Sequence, residues 1–595
     1  METLNKIIGV INLFRKAFSR HKKKLALMTF LGFIGGFLGG IGIGAIIPLF
    51  YIVTNQSGIG TDSISKIIFK IFEFIHLPVS IPTIILLMAF LFITKAVFLY
   101  IANYISSKIY VDYELETRER LFKKTLETDW PYLTHQKTGR LNDILMGDVG
   151  GASGALNSMS GAVLTGTSLI TYAIIAINIS VPITLATLGL GAFLFFLFKP
   201  IFYQVRRLSG TTSETIKSLA HHLNQNIAGA KTIKSMSLEG QVFQKGMIYF
   251  EELKNIRLKW SRYGILLNTF VEPVSLGLVV VIFLTSYRNP DFNIATFVAI
   301  IYLVQKMFSF VQSIQGKFNI VNETLPLINI IVTYEKEIDK NKEFAEGNKQ
   351  FIFNRTLEFK NVSFGYAEGQ DIVSLLNLYV NKGEMIGLIG PSGAGKTTTV
   401  DLLLRLFRPQ SGELLIDGVN IDEMDKKSWR NNIGYVSQDI FLLNDTIENN
   451  IRFYDDSLSP KDIADATKSA NIYDFIETLP DKLQTIVGER GIQLSGGQRQ
   501  RIVLARILAR KPSILILDEA TSALDNESEH KIQEAIRDLR GKLTIIIVAH
   551  RLSTVIHSNR ILVLKDGIIA EEGSPQELLN NTKSYFYKNY NIDRD

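Results

Sequence analysis

The stretch MIGLIGPSGAGKTTTV, residues 385–400, predicts a buried strand, a glycine-rich loop and the start of a helix. The loop reads Gly390, four residues, and then Gly395, Lys396 and Thr397. Backbone N–H groups of such a loop and of the helix N-terminus can surround phosphate oxygens, and glycines permit that close approach. Lys396 would reach the outer phosphates of a nucleotide, and Thr397 would ligate magnesium. The stretch therefore predicts a nucleotide-binding domain.

A second apolar strand, ILILDEA at 514–520, ends in two acids. Asp518, at the strand end, is the expected partner of magnesium. Glu519 is placed to polarise an attacking water. An acid at this position distinguishes a protein that hydrolyses its nucleotide from one that only binds it. Together with the phosphate loop, this strand predicts a domain that hydrolyses a nucleotide with the help of Mg²⁺.

A second glycine-rich turn, QLSGGQRQR at 493–501, has two adjacent glycines but no lysine that could hold a phosphate. It is half of a phosphate cradle in a chain that already carries a complete one. The number of chains that build one site therefore depends on what this turn does.

Long apolar runs dominate the chain up to about residue 320. A helix needs roughly 20 apolar residues to cross a bilayer. The stretches that meet this length are 25–53, 81–105, 157–178, 181–203, 262–286 and 293–316. An even number of spans returns the chain to its starting side, and the basic residues before the first run place that side in the cytoplasm.

Composition excludes several classes of protein. The chain has no Cys, which rules out disulfides, thiol catalysis and Cys-ligated metals. Much of the net charge of +7 lies just before the first apolar run. A basic cluster in this position indicates the cytoplasmic flank of a membrane span and not a nucleic-acid-binding patch. The basic residues there are Arg15, Lys16, Arg20, Lys22, Lys23 and Lys24. The first run is too long for a signal-peptide core, so we expect it to be retained.

At 595 residues the chain is too long for one compact core. We expect a transmembrane domain at 1–330, a linker at 331–354 and a soluble nucleotide-binding cassette at 355–595. The long charged segments 106–156 and 204–261 are helical in pattern and fall on the cytoplasmic side.

The phosphate loop, QLSGGQRQR, ILILDEA, SALD (522–525) and His550 occur in the order and spacing of an ABC-transporter nucleotide-binding domain, which residues 355–590 resemble. The resemblance implies that Tyr366 stacks on adenine and that Gln438 senses magnesium and the membrane domain. It also implies that His550 contacts the γ-phosphate, acting with the catalytic Glu519. The residues implied to bind nucleotide are Tyr366, Gly390, Ser392, Gly393, Gly395, Lys396, Thr397, Thr398, Gln438, Ser495, Gly496, Gly497, Gln498 and Asp525. Those implied to bind magnesium are Thr397, Gln438 and Asp518.

In that family, the LSGGQ turn faces the γ-phosphate that is held by the lysine loop of the other subunit. Ser495 and Gly497 would donate to that phosphate from the start of a helix. Because this chain has one half of each kind, two complete sites need two cassettes. The expected partner is a second copy of the same chain.

The membrane half resembles the six-helix subunit of type IV ABC exporters, so the expected fold is multi-domain, with an all-α six-helix transmembrane domain followed by an α/β cassette. Asp129-Trp130-Pro131-Tyr132 resembles the region of the coupling helix. In the cassette, 485–489 reads TIVGE where the family usually has TEVGE, so Ile486 replaces an acid.

Charges inside membrane runs are costly and are functional hypotheses by default. Lys95, Glu272 and Lys306 all fall near mid-depth of their predicted spans. One interpretation is a buried Lys–Glu pair that fixes helix packing. The other is a net positive charge that faces the cavity and suits a phosphate or pyrophosphate headgroup. GIGIGAIIPLF, residues 40–50, also resembles flippases of lipid-linked saccharides.

These patterns favour an ATP-driven exporter or flippase that moves a lipid or lipid-linked substrate across a bacterial-type inner membrane by alternating access, with membrane lipids around it and its cassette in the cytoplasm. A peptide or drug exporter is the alternative. An ATP-gated regulatory or channel protein is a third reading, although such proteins often lose a catalytic acid or a signature. The six spans argue against a soluble ABC protein that acts on nucleic acid.

Overall fold

The computed structural model describes residues 21–53, 63–136, 139–197, 199–288, 294–343, 347–367, 369–519, 525–549 and 554–592. Contacts divide the chain into two compact units. One comprises Met1–Thr128 and Gln136–Lys342, and the other comprises Asp129–His135 and Glu343–Asp595. The short segment Asp129–His135, which contains the predicted coupling residues, therefore groups with the cassette.

The first unit is helical throughout its described part. Its longer helices are α1 (Lys22–Gly44), α2 (Ile46–Val53), α3 (Ser63–Ile75), α4 (Ile81–Leu126), α5 (Val149–Ile179), α6 (Val181–Leu197), α7 (Lys199–Ala228), α8 (Glu239–Thr269), α9 (Val271–Ser286) and α10 (Ile294–Lys340). Short helical turns cover Arg140–Asn142, Asp143–Asp148 and Ala230–Ser235. Helix α10 continues through 331–340, the first part of the predicted linker.

By length and apolar composition, four helical stretches among the described residues can cross a membrane: Lys22–Val53, Ile81–Leu126, Arg140–Ile179 and Thr296–Lys340. Two of the six predicted spans correspond to shorter apolar helices, Val181–Phe193 and Glu272–Thr285. The helical transmembrane architecture is confirmed, and the count of six spans stays a prediction.

Glycines of α1 allow close helix packing. A Cβ at Gly32 would lie 2.6 Å from Thr167 Oγ1, and one at Gly36 would lie 2.8 Å from Thr171 Oγ1. A Cβ at Gly40 would overlap the side chain of Ile175. This spacing of four residues places one glycine stripe of α1 against α5, an arrangement that membrane helices use to bring backbones together.

The cassette unit contains two sheets in its described part. Its strands are β1 (Thr356–Phe364), β2 (Val373–Asn381), β3 (Met385–Ile389), β4 (Ser411–Ile416), β5 (Val419–Asn420), β6 (Ile433–Val436), β7 (Ile514–Asp518), β8 (Thr544–Val548), β9 (Arg560–Lys565) and β10 (Ile568–Gly573). The smaller sheet has the order β2-β1-β4-β5 and is antiparallel. The larger has the order β10-β9-β3-β8-β7-β6 and is parallel except for β10.

Helices surround these sheets. They are Trp130–Thr134, α11 (Lys396–Leu403), α12 (Lys426–Asn431), α13 (Ile447–Arg452), α14 (Pro460–Ser469), α15 (Tyr473–Thr478), α16 (Gly496–Leu508), α17 (Asn526–Asp538), α18 (Pro575–Asn580) and α19 (Tyr585–Ile592). Strands β3, β7 and β8 are buried at every residue, as expected for parallel strands that are covered on both faces. Because these strands are parallel, the segments that follow β3, β6, β7 and β8 leave the sheet at one edge. The α/β cassette predicted from the sequence is confirmed.

Candidate nucleotide site

The phosphate loop follows β3 and ends where α11 begins. Gly390 has φ +151° and Gly395 has φ +100°, values that side-chain-bearing residues rarely adopt. A Cβ at Gly390 would also overlap the carbonyl oxygen of Leu564. Backbone conformation and space therefore both require glycine there, and the result is a loop whose backbone lies open to a ligand. Ser392 and Gly393 are exposed at its crest.

Lys396 is 6% exposed and lies across its own loop. Its Nζ donates to the carbonyl oxygens of Gly390 at 2.9 Å and Pro391 at 3.1 Å. Burial lowers the pKa of Lys396, and the nearby Glu519 and Asp518 oppose that shift. A phosphate oxygen in the loop would offer this ammonium a stronger partner than two carbonyls.

Beside the loop, the Tyr366 hydroxyl and the buried Thr398 Oγ1 share a hydrogen bond of 3.1 Å. Tyr366 is 56% exposed, and its ring stands edge-on to Phe364 and Phe407, with centroids at 5.2 and 5.3 Å. The ring is thus fixed by aromatic neighbours while much of its surface stays open. The predicted stacking on adenine is compatible with this placement.

The two acids stand where β7 ends. Asp518 is 4% exposed and accepts a hydrogen bond from the Tyr435 hydroxyl at 3.3 Å. Burial and the charge of Asp518 raise the pKa of Tyr435 well above its usual range, so the phenol stays a donor.

Glu519 is the first residue beyond β7, and it has φ +49°, uncommon for a residue with a side chain. Its N–H donates to Val548 O at 2.9 Å, and its Oε2 accepts from Gln438 Nε2 at 2.7 Å. Val436 of β6 pairs with Leu517 of β7, so Gln438 and Glu519 leave the sheet as neighbours.

These residues fit magnesium and ATP. Magnesium prefers hard oxygen ligands, and the site offers the exposed hydroxyl of Thr397 and the carboxylate of Asp518. Gln438, the third predicted ligand, points its amide nitrogen to Glu519 and keeps its carbonyl oxygen for another partner.

The glycine-rich turn forms the start of α16. Ser495 caps the helix: its Oγ accepts from Gln498 N at 3.2 Å, and Gln498 Oε1 accepts from Ser495 N at 2.8 Å. Ser495 is exposed and Gly496 half-buried. Gly497 is buried against Ser528, so closely that a Cβ at position 497 would overlap the Ser528 side chain. In the part of the chain that the structure describes, no hydrogen bond joins Ser495 or Gln498 to Lys396.

Asp525 caps α17 by accepting from Ser528 N at 3.2 Å, and hydrogen bonds from Ser528 hold its pKa below the usual value. Ser528 thus connects the start of α17 with the glycine turn of α16. His550, predicted to contact the γ-phosphate, and residues 520–524 lie outside the described residues.

Asp401, on α11, was missed by the sequence reasoning. Burial, together with the neighbouring charge of Asp518, raises its pKa to about 6. Neither cause has a local signal in the sequence, because burial and the approach of Asp518 both depend on how distant segments pack.

The two predicted coupling segments are also described. Trp130–Thr134 is a short helix whose cap, Asp129, accepts from Tyr132 N at 3.0 Å. In the cassette, Ile486 forms a bridge with Thr446 and is 57% exposed. The residue that replaces an acid therefore presents an apolar side chain at the surface of the unit.

In the membrane unit, Lys95 Nζ donates to the Tyr172 hydroxyl at 3.1 Å and lies 5.5 Å from the centre of that ring. Lys306 Nζ lies 5.5 Å from the centre of the Tyr302 ring. Glu272 is exposed, and no ion pair among the described residues joins it to either lysine.

Comparison with known proteins identifies the architecture. Residues 373–522 match the family described as ABC transporter, and residues 25–313 match the ABC transporter transmembrane region. The lipid A-core flippase of Haemophilus influenzae is 32% identical over 82% of this chain and 84% of its own length. YgaD of Bacillus subtilis, provisionally named a multidrug export ATP-binding/permease protein, is 31% identical over the same shares.

A solved structure of a bacterial Atm1-family ABC exporter with ATP bound has a similar fold, with a TM-score of 0.79 over 97% of this chain and 100% of that one, at 24% identity. The residues that match the ABC transporter family include the phosphate loop and the two acids at the end of β7, which form the site described above. The chain belongs to the ABC transporter family, with the transmembrane region and the ATP-hydrolysing cassette on one polypeptide.

Proposed function

We propose that this transporter is an ATP-driven flippase or exporter for a lipid or lipid-linked molecule with an anionic headgroup. We infer that ATP hydrolysis drives transport, because four residues lie close together at one edge of the parallel sheet: Lys396, Asp518, Glu519 and Gln438. In this arrangement, Lys396 would exchange its loop carbonyls for phosphate oxygens. Glu519, held by Gln438, would accept a proton from the attacking water.

Magnesium would be held by Thr397 and Asp518, and it would supply positive charge next to the phosphates. The residues of this chain would hold the magnesium charge in position. Asp518 is fixed by its burial and by Tyr435, and α11 directs its N-terminus toward the loop.

We also propose that the active form is a homodimer with two shared sites. The capped N-terminus of the 13-residue α16 presents the Ser495 hydroxyl and unpaired helix amides to an anion, without a lysine of its own. Lys396 belongs to a separate loop of the same chain. A second copy would bring the missing half to each site.

The substrate proposal rests on the membrane lysines. Lys95 and Lys306 have neutral partners in their described surroundings, a hydroxyl and aromatic rings, so their charges are not cancelled by Glu272. Uncompensated positive charge within apolar helices is expensive and suits an anion that arrives from outside the protein. The relatives named lipid A-core flippases support this reading. The name of YgaD keeps a drug exporter as the alternative.

The experiment compares an anionic and an uncharged amphiphile, each added to the protein in phosphatidylcholine nanodiscs. ATPase activity of the full chain is measured with added dodecyl phosphate and with uncharged dodecyl maltoside. We expect stimulation by the phosphate compound that is lost in Lys95→Gln and Lys306→Gln and kept in the matched variant Glu272→Gln. If the lysine variants instead lower the melting temperature and Glu272→Gln with Lys306→Gln restores it, a structural Lys–Glu pair replaces the headgroup proposal.

We propose that the protein lies in the inner membrane, with its N-terminus and its cassette in the cytoplasm. The basic residues before the first apolar run support this orientation. An N-terminal tag should be digested by protease in inverted vesicles and protected in intact spheroplasts. The reverse pattern would contradict this orientation.

A further inference from the structure

The Lys95 ammonium lies in a seat formed by Gly39, Phe92 and Tyr172. Its Nζ is 3.1 Å from the Tyr172 hydroxyl and lies over the rings of Phe92 and Tyr172, at 5.7 and 5.5 Å from their centres. A Cβ at Gly39 would lie only 2.5 Å from this Nζ and 2.8 Å from the Tyr172 hydroxyl. The seat therefore exists only because position 39 has no side chain.

A lysine in a membrane helix ordinarily extends its flexible side chain toward the headgroup layer. Lys95 stands about 14 residues into α4, roughly 21 Å along the helix axis at 1.5 Å per residue, where extension to either surface is difficult. The seat gives its ammonium one hydrogen bond and two aromatic faces, which are favourable contacts for a cation. None of these three groups carries a negative charge.

Tyr172 is 1% exposed and its ring stands edge-on to Phe310, with centroids 5.2 Å apart. A side chain buried to this extent does not reach a ligand, so any effect it has on binding passes through Lys95. A structural ion pair would cancel the lysine charge. This seat instead fixes the position of the ammonium and leaves its charge for an incoming anion.

We infer that Tyr172 and Gly39 are positioning residues that hold the Lys95 ammonium at mid-depth for an anionic headgroup, a role that rests on the proposed function of Lys95. Removal of the Tyr172 hydroxyl leaves the ring and its packing in place but releases the ammonium. A methyl group at position 39 displaces it directly.

The test measures binding of dodecyl phosphate to the full chain in phosphatidylcholine nanodiscs. Tyr172→Phe and Gly39→Ala should each raise the half-saturating concentration about tenfold, the range expected for one hydrogen bond to a charged group. Adding Tyr172→Phe to Lys95→Gln should cause no further loss, because the tyrosine acts through the lysine. Tyr334→Phe is the matched control: it removes another buried tyrosine hydroxyl, which is bonded to Thr125 at 2.9 Å, and should leave binding unchanged.

The outcomes separate the two proposals. If Lys95→Gln weakens binding but Tyr172→Phe does not, or if their effects add, the positioning role is overturned and the headgroup site stands. If Lys95→Gln leaves binding unchanged, the headgroup site itself is overturned, and the role of the seat falls with it.

Discussion

The amide nitrogen of Gln438 donates a hydrogen bond of 2.7 Å to the carboxylate of Glu519, although the residues are 81 positions apart in the chain. The parallel register of β6 and β7 produces this contact, because Val436 stands opposite Leu517. The left-handed backbone of Glu519 then turns its side chain away from the strand. The contact holds the proposed base beside the phosphate loop.

Replacement of Glu519 by Gln should retain ATP binding and lower steady-state ATPase activity by about 10²–10⁴-fold, because the amide cannot accept a proton from water. The measurements are nucleotide binding and phosphate release. Glu413→Gln, a change at an exposed carboxylate of β4, should leave both unaffected. Near-normal turnover in Glu519→Gln would remove Glu519 from its role.

Replacement of Gly497 by Ala should abolish most ATPase activity, because the new Cβ would overlap the side chain of Ser528 and displace the start of α16. The double variant Gly497→Ala with Ser528→Gly should regain activity, since the next atom, Ser528 Cα, is 3.5 Å from that Cβ. Ser528→Gly alone should cost only about 0.5 kcal/mol of helix stability, since serine is itself a weaker helix former than alanine. If the double variant is no better than Gly497→Ala, the contact does not explain the glycine.

Asp401 should make the nucleotide-free protein less stable as pH rises. Its pKa is about 6 in the folded protein and is taken as the ordinary value of 3.8 in the unfolded chain, so folding favours the protonated form. Stability from this group is fully present below about pH 4 and is lost as pH rises through about 6. At pH 7.5, Asp401→Asn should therefore stabilise the cassette, by about 1–2 kcal/mol after allowance for solvent screening.

Thermal unfolding without nucleotide checks this prediction. The melting temperature of Asp401→Asn should exceed that of the parent at pH 7.5, and the gap should close as pH falls toward 4. Asp456→Asn, at an exposed carboxylate, serves as the control and should show no gap. An equal gap at both pH values would argue against the titration of Asp401.

The sequence predicted the parts of the site that depend on short local patterns. The glycines around Lys396 and the acids after ILIL identify strand ends on their own, and parallel strands must end at one edge. The contacts of Asp401, Ser528 and Tyr172 depend on packing between distant segments, for which a single sequence has no local signal.

We propose that each ATP site uses Lys396 of one chain and Ser495 of another. The most direct test co-expresses Lys396→Ala and Ser495→Arg chains with different tags and purifies the mixed dimer by both tags. Each variant alone should have almost no ATPase activity, because every shared site in it is broken. The mixed dimer holds one intact site and one doubly broken site, so its ATPase activity should return. A doubly tagged dimer as inactive as its two parents would contradict the proposal.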